Sequence, residues 1–269
     1  MKDEKRDCCP IDAPRSARLP LMVMAFPQSD PRFPPTQWTA VVQLSHEPDE
    51  TARRNALECL CRDYWYPLYV FARRAGHSQH DAEDLTQGFF GYLFEQNILA
   101  SANRELGKLR TFLLTVFQRY IGDVEDREGA WKRGGRQVFV SLDSLEAEEL
   151  YLREPAELVT PETSFERAWA LQVLRAALDA LRQTEVKAGH GRIFEILSPF
   201  LDPDTAADAR TDLAALELAM SAEGIRQAVG RLRRKFRLAL RRQVATTLHD
   251  PGDTQIDEEM SALQAALRA

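Results

Sequence analysis

The chain has 269 residues, 44% of them hydrophobic and 28% charged, and a formal net charge of −6. That length accommodates two ordinary domains with a core each, and a wealth of Ala, Leu, Arg and Glu with few β-branched runs predicts an all-α fold. The acidic balance excludes a protein that coats nucleic acid over its whole surface, so any DNA binding has to be local.

Residues 1–35 mix charge with seven prolines, which stop helices and leave little to build a core. They are expected to form a disordered leader. The apolar stretch 19–26 within it is far shorter than the roughly 20 residues a membrane span needs and lacks a convincing cleavage site, so no membrane contact is expected. Cys8, Cys9, Cys59 and Cys61 have neither zinc-site spacing nor pairs set for a disulfide, the pattern of reduced thiols in the cytoplasm.

Thr36 is placed to cap a short helix over 36–44, with Trp38, Val41, Val42 and Leu44 on its buried side. Over 51–75, Ala56, Leu57, Leu60, Tyr64, Leu68 and Phe71 recur at steps of three and four, one face of a helix that Pro67 should bend or split. Gly76 is a stop and Ser78 a cap for the next helix. Asp81, Glu83 and Asp84 suit the positive end of its dipole, and Leu85, Phe89, Tyr92 and Leu93 form its apolar stripe. A polar loop over 101–108 leads into a helix from 109 to about 132, with Phe112, Leu113, Val116, Phe117, Tyr120 and Val124 inward. Residues 137–142 are β-like, and the acidic stretch 146–162 has the composition of a linker.

A second set of helices is predicted over about 165–181, 193–201, 209–220 and 221–244, followed by an acidic tail. The expected domains are therefore a leader over 1–35, a helical domain over 36–136, a linker over 137–162, a helix-turn-helix domain over 163–248 and a tail over 249–269.

The last of these helices carries Arg226, Arg231, Arg233, Arg234, Lys235, Arg237, Arg241 and Arg242 against an inward stripe of Ile225, Val229, Leu232, Phe236, Leu240 and Val244. Preceded by a three-turn helix and a short turn, this is the pattern in which a recognition helix enters the major groove and arginines clamp phosphates or read guanine edges. A solvated basic helix or one facing an acidic partner has the same composition, but such a helix in an otherwise acidic chain is poorly explained by solubility. His77, His80, Glu83 and Asp84 have spacings that metal sites use, as do Asp123, Glu125 and Asp126, yet acidic residues at a helix start are explained by the dipole alone. No phosphate loop, nucleophile elbow or Cys/His nucleophile pattern occurs, so neither catalysis nor a cofactor is expected. The run 110–136 exposes Gln118, Arg119, Asp123, Arg127, Trp131, Lys132 and Arg133, which fits either a solvated helix face or a surface for separated DNA strands.

Taken in order, these parts resemble the extracytoplasmic-function group of the sigma-70 family, the promoter-recognition subunits of bacterial RNA polymerase. The resemblance rests on Asp81-Ala82-Glu83-Asp84-Leu85-Thr86-Gln87-Gly88-Phe89-Phe90, on Arg110-Thr111-Phe112-Leu113-Leu114 followed by Asp123, and on the basic C-terminal module. It implies two helical domains, core RNA polymerase and promoter DNA as partners, and an anti-sigma protein or a Ser/Thr kinase as the class of regulator. It also implies that Asp84, Gln87 and Phe90 dock on polymerase. Asn103, Arg104, Lys108, Arg119 and Asp123 would meet the −10 element, and Arg226, Gln227, Gly230, Arg231 and Arg234 the −35 element. The turn departs from the family in having Ala219 where glycine is usual. Thr86 stands where the family has an aliphatic residue, a position at which a phosphate would alter docking. The alternative from another class is a helix-turn-helix regulator that binds duplex DNA without polymerase.

Overall fold

A computed structural model of the chain describes residues 50–96, 98, 108–130, 142–153, 160–202, 207–248 and 251–268. The leader, the helix expected over 36–44, most of the loop over 101–108 and the β-like run over 137–141 lie outside these residues. Every regular element described is a helix, as the composition predicts.

Helix α1 (Glu50–Arg74) runs through Pro67 without a break. A proline inside a helix costs about 3 kcal/mol through its lost N–H bond and its ring. Here Tyr64, Leu68, Tyr69 and Val70 around it are all almost fully buried, and each such side chain contributes about 1.5–3 kcal/mol. Burial outweighs the defect, so the predicted split does not occur. The helix ends on Gly76 at φ +104°, with His77 N–H donating to Ala72 O at 3.2 Å and Gly76 N–H to Arg73 O at 3.2 Å, a pair of bonds that closes the last turn on a left-handed residue.

Ser78 caps α2 (Gln79–Glu95), its Oγ accepting from Asp81 N–H at 3.2 Å. Helix α3 (Leu109–Ala130) packs against α1 and α2 through tilted and edge-on rings: Phe89 lies 4.9 Å from Phe117, Phe71 6.1 Å from Phe117 and Tyr92 5.2 Å from Tyr120.

The acidic stretch predicted as a linker contains a helix, α4 (Leu142–Arg153). Glu148 fixes it to α1: the Arg73 guanidinium donates from Nε at 3.1 Å and Nη2 at 2.8 Å, and Tyr69 donates its hydroxyl to the same carboxylate. Arg73 and Arg74 also lie over the Tyr151 ring, 4.8 and 5.1 Å from its centre. The attachment comes from residues some 75 positions upstream in the chain, so composition alone shows only a polar segment.

Helix α5 (Pro161–Lys187) starts on the Thr160 cap, with Pro161 in the first turn. It leads through Gly189, at φ +78°, into the short α6 (Gly191–Leu197) and a 3-10 turn (Ser198–Leu201). Then come α7 (Ala207–Leu218), α8 (Ala222–Thr246) and α9 (Asp253–Arg268). The predicted tail is thus largely helical, with Leu263 and Ala266 buried.

Helices α5 and α8 take part in both apolar clusters. Phe165, Trp169 and Val173 from the first half of α5 share a core with α1, α2, α3 and α9, and with Leu240 and Val244 from the end of α8. Leu181 from the second half of α5 meets Ile225, Val229 and Leu232 from the start of α8, with Phe194, Leu197, Phe200 and Ala214. The two helices therefore run antiparallel, and Phe236 and Ala239 lie at the seam between the clusters.

Candidate nucleic-acid interface

The basic helix α8 is held by its apolar stripe. Ile225, Val229, Leu232, Leu240 and Val244 are buried on one face, and at about 1.5–3 kcal/mol each they outweigh any surface ion pair, which contributes about 0–1 kcal/mol. Its start is fixed by Ser221, whose Oγ accepts from Gly224 N–H at 3.1 Å. The turn before it places Ala219 at φ +50°, with Met220 N–H donating to Ala215 O at 3.0 Å. The non-glycine residue at this turn is accommodated in the left-handed conformation that glycine takes more easily.

The cations of α8 divide by what they touch. Arg233 donates from Nε and Nη2 to Phe200 O at 3.2 and 2.9 Å, tying the helix to the 3-10 turn. Lys235 Nζ donates to both oxygens of Glu185, at 2.7 and 2.9 Å. Arg226 Nε and Gln227 Nε2 both reach Glu223, at 3.1 and 3.3 Å, one turn back. Arg241 is held by α9. Arg231, Arg234, Arg237 and Arg242 are exposed and have no carboxylate partner among the described residues. At spacings of three to five residues these four occupy one solvent-facing strip, which also carries Gly230 and the exposed Leu238. A Cβ on Gly230 would meet nothing within 4 Å, so the backbone is open to close approach there. Planar guanidinium groups in such a row match phosphate oxygens and guanine edges.

Of the residues assigned to the −35 element, Arg231, Arg234 and Gly230 lie on this strip, while Arg226 and Gln227 are exposed but engaged with Glu223. Arg237 and Arg242 extend the strip beyond the assigned set, and their helical spacing from Arg231 and Arg234 is the signal that identifies them. In the −10 set, Arg119 and Asp123 are exposed one turn apart on α3. Lys108 precedes α3, with its Nζ 2.5 Å from Glu259 of α9, and Asn103 and Arg104 lie outside the described residues.

Asp84 and Gln87 reach the surface of α2, whereas Phe90 is buried, its ring 5.9 Å from Phe89. Phe90 supports the face assigned to polymerase from behind and is not available to touch a partner. Thr86 is fully buried too, its Oγ1 donating to Ala82 O at 2.7 Å, so a phosphate there requires α2 to unpack.

His77 and His80 face different carboxylates, Glu125 at 3.8 Å and Asp84 at 3.7 Å. Among the described residues no group of three or more His, Cys, Asp or Glu side chains is placed to hold a metal ion, and no helix is long and apolar enough to cross a membrane. Compared with protein-family models, curated proteins and solved structures, the chain matches none of them.

Proposed function

We propose that this chain is a sigma subunit of extracytoplasmic-function type, which directs core RNA polymerase to promoters and does its work by binding energy rather than catalysis. The single observation that carries this reading is the strip of Arg231, Arg234, Arg237 and Arg242 on a capped helix behind a short turn. On polymerase, residues 36–136 and 163–248 act as two helical modules. The strip anchors the duplex at the −35 element, and Arg119 and Asp123, with Asn103, Arg104 and Lys108, meet the −10 strand. Extruding a base costs a few kcal/mol of stacking, offset by pocket and backbone contacts. Asp84 and Gln87 supply the surface for polymerase, and the acidic balance of the chain keeps its affinity for DNA low away from polymerase.

Transcription in vitro with core polymerase on genomic templates tests this. Promoter-directed transcripts are expected, falling about tenfold or more with Arg231→Ala/Arg234→Ala, since a good arginine contact contributes about 1–3 kcal/mol. Failure to initiate from any template rejects the proposal. The sharing of one apolar core by α1–α3, the end of α8 and α9 favours a second reading, a compact regulator that binds duplex DNA alone. That reading predicts a sequence-specific gel shift without polymerase.

A further inference from the structure

Helix α9 is acidic at one end and apolar along one side. Asp253, Asp257, Glu258 and Glu259 fall in its first two turns, and Arg268, its one basic residue, is at the far end. Leu263 and Ala266 are buried in the core it shares with α1, α5 and α8, and Ile256, Met260 and Leu267 pack beside them. This apolar seating directs the acidic end at two cationic positions. Arg241 of α8 donates from Nη2 to Asp253 Oδ1 at 3.3 Å and from Nη1 to Asp257 Oδ1. Glu259, 1% exposed, takes Lys108 Nζ on one oxygen at 2.5 Å and Arg110 Nη1 on the other.

These contacts differ in kind. Arg110 is 6% exposed and Glu259 is 1% exposed, so their pair is an internal latch whose two charges satisfy each other. Asp253 and Asp257 are 93% and 64% exposed, and ion pairs that exposed contribute little to stability. Their effect is on charge instead. Arg241 lies four residues from Arg237 and seven from Arg234, on the same side of α8 as the free strip, and it is the member of that side whose guanidinium is already covered. Two carboxylates standing against the strip also repel phosphates within a screening length of about 8 Å at physiological salt.

We propose that α9 is an intramolecular competitor for the nucleic-acid backbone, latched by Glu259 and covering Arg241 with Asp253 and Asp257, so that DNA phosphates must displace these carboxylates to use the full basic face of α8. This rests on the DNA-binding reading given above and assigns to the acidic C-terminal helix the regulation of that same surface. Displacement needs only the exposed pairs to open, while Leu263, Ala266 and the buried Glu259–Arg110 pair stay in place.

The test is duplex binding by the full chain, followed by fluorescence anisotropy between about 50 and 200 mM salt on random-sequence DNA. Asp253→Asn/Asp257→Asn is expected to bind roughly three- to tenfold tighter and to steepen the log K against log salt slope by about 0.9, the signature of one additional phosphate contact. Glu258→Gln removes a charge from the same turn without touching an arginine and is expected to change affinity less than about twofold, with the slope unchanged. Adding Arg241→Gln to the double variant should abolish its gain. The proposal is overturned if the double variant binds no tighter, if Glu258→Gln matches it, or if the gain survives Arg241→Gln. Should neither the parent chain nor any variant bind duplex at the lowest salt, the proposal falls, whereas the sigma reading is decided separately by transcription with core polymerase. If the parent binds and the double variant leaves affinity and slope unchanged, α9 alone loses its role.

Discussion

Arg110 shows how a charge is held inside this protein. Its guanidinium lies 4.0 Å from the centre of the Trp169 ring, donates from Nε to Glu166 Oε2 at 2.7 Å and from Nη1 to Glu259. Desolvating a lone arginine is costly, and here a ring face and two carboxylates offset that cost. Glu259→Gln removes one of the charges while preserving shape, and a loss of about 3 kcal/mol in urea-melt stability is expected. An unchanged midpoint would show that Glu166 alone satisfies Arg110. The half-buried thiol of Cys61 makes a second prediction at this scale, since burial, followed by the charges of Glu58 and Cys59, pushes it up to about 12. Very little thiolate exists at mildly alkaline pH, so alkylation of Cys61 in the native chain should be about a hundredfold or more slower than in the denatured chain. Mass spectrometry of the peptide containing it reads the ratio, and equal rates would contradict the burial.

Local sequence signals and long-range packing contribute unequally from one helix to the next. The caps at Ser78, Thr160 and Ser221 follow from residue type, because each hydroxyl meets an amide three residues on. The continuity of α1 through Pro67 does not, since it depends on what surrounds Tyr64 to Val70. At the turn before α8, Ala219 adopts φ +50°, a conformation that costs an L-residue with a Cβ about 1–2 kcal/mol. Ala219→Gly should therefore stabilise the chain by about 1 kcal/mol, less the extra freedom glycine gains when unfolded. A rise of a few degrees in the melting temperature checks this, and a fall would show that the alanine methyl packs usefully.

For the molecule as a whole, the buried phenols set an alkaline limit. Burial pushes Tyr64 well above the usual phenol range, and burial together with the hydrogen bond donated to Glu148 does the same for Tyr69. Their folded values exceed their unfolded ones, as does that of Cys61, so the unfolded chain releases these protons first. Stability from this source is complete below about pH 8.5 and declines as pH rises through the ordinary thiol and phenol range. Calorimetry should give a steady melting temperature up to that point and a falling one by about pH 10.5. A flat profile would mean that these groups ionise freely when folded.

The all-α class, most helix boundaries, the Ser78 cap and the basic face of α8 were legible in the sequence, because propensity, a three-to-four spacing of apolar residues and a cap hydroxyl are properties of neighbours. The free strip was legible in part, since helical spacing places Arg231, Arg234, Arg237 and Arg242 on one side but does not show that Glu223, Phe200, Glu185 and α9 engage the remaining cations. The position of Phe90 was not legible either, because one turn of α2 carries both surface and core residues and only the packing of α1 and α3 decides which is which. Composition determined that the last residues are acidic. Only the tertiary structure decided that they form a helix seated by Leu263 and Ala266 and latched by Glu259 to Arg110, because that partner lies 149 residues away and no local pattern encodes it.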